Sequence, residues 1–270
     1  MVQCKEVTGD AVMSRRSFVL SALPVGFAAR RLGRSIGIQE HQPTMARIIV
    51  CDVNETLLDV QALDPHFARA FGDGRVLREW FSTVLLYSEV ATLAGPYAEF
   101  GAIGGAALDM TAVSHGVILA AEDRQRILQG MLSLRPHPDV RDGLRSMRDV
   151  GLRLVTLTNS APSAVQQQLT NAGLSDFFER SFSVDSIRRF KPAAEAYRSV
   201  AEALGVPTAS LRLVAAHAWD VVGALQAGCA AAFVARPGKV LYPLGPKPDI
   251  VGPDLREVAR QIIAVEMGRR

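Results

Sequence analysis

Four polar groups stand where apolar, strand-like runs give out. Asp52 ends "RIIVCD", Thr158 and Asn159 end "LRLVTLTN", Lys191 lies in "RRFKPAAEAY", and His217 and Asp220 close "LRLVAAHAWD". The steps from Asp52 to Thr158, to Lys191 and to Asp220 are 106, 33 and 29 residues. Each group alone says little, since a strand-end aspartate commonly caps a turn and a lysine before proline commonly opens a helix. Together, on one edge of one sheet, they gather an acid, a hydroxyl, a lysine and a second acid. Those side-chain types run nucleophilic and acid–base chemistry.

The elements that must position them follow from hydrophobic pattern. Short apolar runs at Arg47–Cys51, Leu152–Leu157, Arg180–Val184, Leu211–Ala215 and Ala231–Ala235 read as strands. Helical patterns over about 161–173, 192–204 and 218–228 lie between them. Such alternation predicts an α/β fold built on a parallel, doubly wound sheet, in which ligands bind beyond the carboxyl ends of the strands. Gly151, Gly173, Gly205 and Gly228 stand where helices should end. Residues of about 60 to 138 show only helical spacing, as in "LREWFSTVLLYSEV" and "DRQRILQGMLSL". They read as a helical insertion after the first strand. The expected division is therefore an α/β core of 45–60 and 139–270, with a helical unit of 61–138 set into it.

Bulk properties narrow the classes. The 270 residues are 49% hydrophobic and 21% charged, as in a globular domain with a sizeable core. The net charge of +3 resides in residues 1–44, where Lys5 and five arginines face Glu6, Asp10 and Glu40. A neutral body with few aromatics gives no support for nucleic-acid binding. Cys4, Cys51 and Cys229 have no zinc-like spacing. No apolar run approaches the roughly 20 residues of a spanning helix, so no stable membrane insertion is expected. "SRRSFVLSALPVGFAARR", Ser14 to Arg31, has the order of a twin-arginine export signal. The alternative is an upstream extension before a start at Met45. The first reading places the protein in the periplasm, the second in the cytoplasm. Residues 1–44 are excluded from the fold on either reading.

"DVNETLLD", "LVTLTNS", "RRFKPAAEAY" and "LVAAHAWDVVGALQAG" resemble, in order, the four motifs of the haloacid dehalogenase superfamily. The resemblance covers almost everything after Met45. It implies a nucleophilic aspartate on the first strand and a cap domain after the first motif, a place the helical segment 61–138 fills. Most members are phosphatases, and the chain departs from those twice. A second aspartate, two residues after the nucleophile, protonates the alkoxide leaving group there; here the position is Asn54. A pair of acids in the fourth motif holds Mg²⁺ there; here it reads Ala216 and Asp220. Displacement of halide needs neither group, because chloride leaves unprotonated. The L-2-haloacid dehalogenase branch, whose members are metal-free, opens with Asp-x-x-x-Thr-Leu, as in Asp52 to Leu57.

Carried over residue by residue, the resemblance implies that Asp52 attacks C2 of a short 2-haloalkanoic acid and forms an ester. Thr56 would hydrogen-bond near the nucleophile, and Lys191 would keep it anionic. Asp220 would position or activate the water that cleaves the ester. Arg78 would bind the substrate carboxylate or receive the halide, with Arg75 as its backup. Thr158 would bond the carboxylate, Asn159 would line the halide side, and Tyr197 would support Lys191 or Arg78. Trp219 and Phe100 would wall the pocket. Asn54 stands where the branch usually has an aromatic, which widens the pocket or makes it more polar. His217 either takes part in water activation or makes only a strand-end hydrogen bond. The expected activity is that of a hydrolase of carbon–halide bonds, an (S)-2-haloacid dehalogenase, with no cofactor or metal and a halocarboxylate as its partner. Members of the branch are often dimers, which makes a homodimer the assembly to test. Two other readings stay open: a Mg²⁺-dependent phosphatase or other hydrolase of the superfamily, and a binding module that kept the fold.

Overall fold

A computed structural model describes residues 47–268. The signal-like stretch and the start at Met45 lie outside the described residues. The chain enters through β1 (Ile48–Cys51), whose four residues are all buried. There follow α1 (Asp64–Phe71), α2 (Val76–Ala94), α3 (Phe100–Ser114), α4 (Ala121–Gly130) and α5 (Val140–Asp149). From there strand and helix alternate through β2 (Leu154–Thr158), α6 (Pro162–Ala172), β3 (Arg180–Ser183), α7 (Ala194–Leu204), β4 (Leu211–Ala215), α8 (Ala218–Gln226) and β5 (Ala230–Val234). A short β6 (Ile250–Gly252) and α9 (Leu255–Met267) close the described chain.

All strand pairs are parallel, in the order β3-β2-β1-β4-β5-β6. The expected α/β class with a parallel, doubly wound sheet is therefore what the protein has. Strands β1, β2 and β4 are buried along their whole length, as central strands covered on both faces must be. The chain leaves β1 toward β2 on one side and later returns to β4 on the other. That reversal makes the gap beyond the ends of β1 and β4 the crevice where such sheets bind ligands. The left-handed Gly173 (φ 61) and Gly205 (φ 66) stop α6 and α7. Between β1 and β2 there are, among the described residues, helices and no strand of the sheet. Trp80 of α2 donates its indole N–H to the Gly104 carbonyl of α3 at 2.9 Å, tying these helices together.

The amino end of β4 carries a separate ionic knot. Arg212, fully buried, meets Glu266 of α9 at 2.6 Å and Asp249 at 2.5 Å. A buried guanidinium needs such partners, because its charge cannot be left without compensation. No described helix is long and apolar enough to cross a membrane.

Candidate active site

Strand β1 delivers Asp52 to the sheet's carboxyl edge. Its backbone N–H still donates to the Val214 carbonyl at 3.0 Å, so the last ladder bond fixes where the side chain begins. Asp52 is 4% exposed. Both of its oxygens are held. Oδ1 accepts from Lys191 Nζ at 2.8 Å, and Oδ2 accepts from Thr56 Oγ1 at 2.6 Å and lies 3.1 Å from His217 Nδ1. Thr56 Oγ1 in turn accepts from the Ala216 N–H at 2.8 Å, which pins the turn after β1 to the end of β4.

Lys191 spends all three ammonium protons. They go to Asp52, to Asp220 Oδ2 at 2.6 Å and to the Leu157 carbonyl at 3.2 Å. The lysine backbone N–H donates to Asn159 Oδ1 at 3.0 Å. Asp220, at the start of α8, has its other oxygen taken by the Tyr197 hydroxyl at 2.6 Å. A Cβ on Gly223 would lie 2.6 Å from both Tyr197 Oη and Pro192 Cβ, so a glycine is what lets α8 close on the start of α7.

The electrostatics follow from this packing. Burial alone would raise the Asp52 pKa, but the charge of Lys191 and the contact with His217 outweigh it and hold the group well below the usual carboxylate range. Burial would discharge Lys191, yet Asp220 and Asp52 keep it raised. Burial, with Asp52 nearby, raises Asp220, against the pull of Lys191. His217 is likewise disfavoured as a cation by burial. Its bonds to Asp52 and Glu55 overcome that and raise it to about 9.

Asp52 opens on a small, closely lined cavity. Asn54, Thr158, Asn159 and Lys191 form its polar side, while Phe81, Leu85, Phe100, His217 and Trp219 wall it. Trp219 stacks on His217 with ring centroids 4.9 Å apart. Of the residues singled out from sequence, Thr56, Tyr197 and Asp220 stand behind this lining and act on it through hydrogen bonds. Asp220 has no exposure, and its two oxygens accept from Lys191 and Tyr197. Asn54 lines the cavity but is itself tied down: its Nδ2 donates to Ser160 Oγ at 3.2 Å and its Oδ1 accepts from Gln168 Nε2 at 3.0 Å.

Arg78 stands beside the cavity of Asp52, with Phe81 and Leu85 common to both of their linings. It does not line the cavity of Asp52. It lines a neighbouring one with Gln61, Ser82 and Lys239. The cause is position along the helix, since Arg78, Phe81 and Leu85 share one face. The next turn of α2, carrying Phe81 and Leu85, faces Asp52, and Arg78 lies one turn earlier on an exposed stretch. Arg75, the backup, pairs with Asp73 at 2.7 Å on the surface. Sequence reasoning missed Phe81, Leu85 and Glu55. The i, i+4 spacing of Phe81 and Leu85 was the available signal for the first two.

Asp52, His217 and Asp220 place ligand atoms within 4.8 Å of one another, close enough to raise the question of a cation. The donor set does not fit a divalent ion. The Lys191 ammonium sits between the two carboxylates, every oxygen of both already accepts a hydrogen bond, and position 216 offers only a methyl group.

Comparison with known proteins adds to this geometry. The model of the haloacid dehalogenase-like hydrolase family matches residues 46–228. The (S)-2-haloacid dehalogenase of Pseudomonas sp. (strain YL) is 32% identical over 212 residues, 78% of this chain and 91% of that protein. The (S)-2-haloacid dehalogenase of Xanthobacter autotrophicus is 34% identical over 194 residues, 71% of this chain and 76% of that protein. The solved L-2-haloacid dehalogenase of Xanthobacter autotrophicus superposes with a TM-score of 0.75 at 30% identity, covering 81% of this chain and 98% of its own. Another structure of that enzyme holds chloropropionic acid covalently bound.

Proposed function

Since the chain belongs to the haloacid dehalogenase-like hydrolases, we propose that it is a hydrolytic 2-haloacid dehalogenase that works through an ester at Asp52 and needs no metal. The observation that carries this reading is the state of Asp52: a buried carboxylate held anionic by Lys191, opening on a small cavity in which position 54 is an asparagine and not an acid. Asn54 has no proton of that kind to give. A halide needs none.

The roles follow from the contacts. Asp52 attacks C2 from the side opposite the halide, so configuration inverts and the Asp52 ester forms. Thr56 and Lys191 aim the carboxylate, while Asp220 and Tyr197 hold Lys191. The substrate carboxylate meets neutral donors. Thr158 Oγ1 accepts from the Ser160 N–H at 3.1 Å, which leaves the Thr158 hydroxyl proton to donate. Asn159 gives its Oδ1 to the Lys191 backbone, which leaves its amide NH₂ for the ligand. Phe81, Leu85, Phe100 and Trp219 form an apolar enclosure that strips water from the halide's carbon. The segment 61–138, with α1–α4, serves as a cap over the core of 45–60 and 139–270, of which 47–60 and 139–268 are described.

One turnover of 2-chloropropionate in ¹⁸O-water tests the reading. Label should enter the Asp52 carboxylate, chloride should be released with EDTA present, and Asp52→Ala should release none. Label found only in the lactate would rule out ester hydrolysis at Asp52. Magnesium-dependent turnover of a phosphate monoester would favour the phosphatase reading, against which the occupied carboxylates and Asn54 both speak. The branch resemblance makes a homodimer the assembly to check, and light scattering decides it.

A further inference from the structure

His217 has two ring nitrogens and both face carboxylates. Nδ1 lies 3.1 Å from Asp52 Oδ2, and Nε2 lies 2.7 Å from Glu55 Oε2. Glu55 is also held by Lys239 Nζ at 2.7 Å. The turn carrying Glu55 is strained. Glu55 has φ 60, a left-handed conformation disfavoured for a residue with a Cβ. Glycine would relieve that strain, and the position instead carries a carboxylate that reaches the imidazole. Strain kept at a position of this kind is a pointer to use.

We propose that His217 is the general base and acid of ester hydrolysis, set in place by Glu55, and that esterification of Asp52 is what frees it to act. The inference rests on the dehalogenase reading above. In the resting site the imidazole faces Asp52 and Glu55, stacks on Trp219, and has Lys191 and Lys239 one step away on its two carboxylate partners. Between two carboxylates it is an imidazolium and cannot take a proton. Alkylation at C2 removes the negative charge of Asp52, which is the larger reason for Nδ1 to keep its proton on the cavity side. His217 then loses that proton to solvent while Glu55 continues to hold Nε2–H.

The balance closes. Water on Nδ1 stands within reach of Asp52 Cγ, because Nδ1 is already a hydrogen bond away from that carboxyl group. The water oxygen bonds to Cγ, its proton passes to Nδ1, and the carbonyl electron pair moves onto oxygen. When the pair returns, the bond from Cγ to the alkyl-bearing oxygen breaks, and Nδ1 returns the proton to the departing alkoxide. The carboxylic acid left at Asp52 passes its proton to Nδ1, restoring carboxylate and imidazolium. Among the residues lining the cavity no other group fits both steps. Lys191 is held as an ammonium, Asp52 is itself the ester, and Asp220 is absent from the lining with both oxygens occupied.

Rapid mixing with (S)-2-chloropropionate, with chloride release and intact-protein mass followed together, tests this. His217→Gln should release about one chloride per enzyme and then stall as a persistent ester, with hydrolysis slowed about 10²–10⁴-fold. Glu55→Gln should keep the chloride burst and move the pH inflection of ester decay downward, the signature of a positioning residue. In the wild type, ester decay should speed up as pH rises and level off below 9, the resting value of His217. A His217→Gln ester that decays at the wild-type rate, or a wild-type decay independent of pH, overturns the inference and leaves the dehalogenase reading standing. A wild type that releases no chloride defeats the dehalogenase reading, and this one with it.

Discussion

The Lys191 ammonium lies 2.8 Å from Asp52 Oδ1, and Lys191 is 1% exposed. A lysine so enclosed stays charged only because Asp52 and Asp220 share it, and the two acids stay close only because of it. Removing it in Lys191→Met should leave the buried Asp220 without a cation and Asp52 with His217 alone, and cost about 3–5 kcal/mol in stability. Chloride release should fall by at least about 10³-fold in whatever fraction stays folded. Urea unfolding and a halide assay measure the two effects separately.

His217 makes stability depend on pH above neutrality. Its pKa is raised from 6.5 to about 9 in the folded protein, so the folded state holds this proton more tightly than the unfolded chain does. The stabilisation is complete below pH 6.5 and is lost as pH rises through 9. The stability gap between wild type and His217→Gln should therefore narrow between those values. Asp52 works in the opposite sense: its lowered pKa gives stability that is present above 3.8 and lost on acidification. Denaturant midpoints taken across pH, with Asp52→Asn beside His217→Gln, separate the two.

Gly223→Ala should separate the helices that carry Tyr197 and Asp220. The added carbon would meet Tyr197 Oη and Pro192 Cβ at 2.6 Å, far inside contact distance. A cost of about 1–3 kcal/mol is expected, as for other overpacked sites. The first functional loss should be in kcat, because Lys191 loses its rear support while the cavity walls stay in place. Steady-state kinetics with 2-chloropropionate reads the split.

Asp139 and Arg236 form a buried pair at 2.7 Å, and Arg236 also donates to the Thr56 carbonyl at 2.9 Å. Asp139→Ala should free the turn that holds Thr56 and Glu55, at a cost of about 3–5 kcal/mol. Hydrogen exchange at the amides of Glu55 and Thr56 should rise in that variant and stay near wild type in the strand β1 before them.

Much of this was legible in the chain itself. The strand-like runs ended in Asp52, Thr158 and Lys191's neighbourhood because a parallel sheet presents its carboxyl edge to the ligand, and hydrophobic period alone exposes that. Strands β1 to β5 were legible for the same reason. Strand β6 was not: three residues give no period. What escaped at the site was position along a helix and direction. The place of Arg78 escaped because sequence names a helix without naming which turn faces the crevice. The tie of Asp220 to Lys191 and Tyr197 was not legible, because these partners converge only in three dimensions. Glu55 escaped because a charged residue in a turn is ordinarily a solvated one, and its left-handed backbone is invisible in a string of letters.

The ionic knot of Arg212, Glu266 and Asp249 has a practical consequence for anyone altering this protein. It grips β4 near the strand's amino end, while Ala216 and His217 serve the site beyond its carboxyl end. One strand thus separates robustness from turnover along its length. Libraries aimed at heat tolerance belong around Arg212 and α9, and libraries aimed at new substrates belong around Phe81, Leu85 and Phe100, so gains from the two should combine additively.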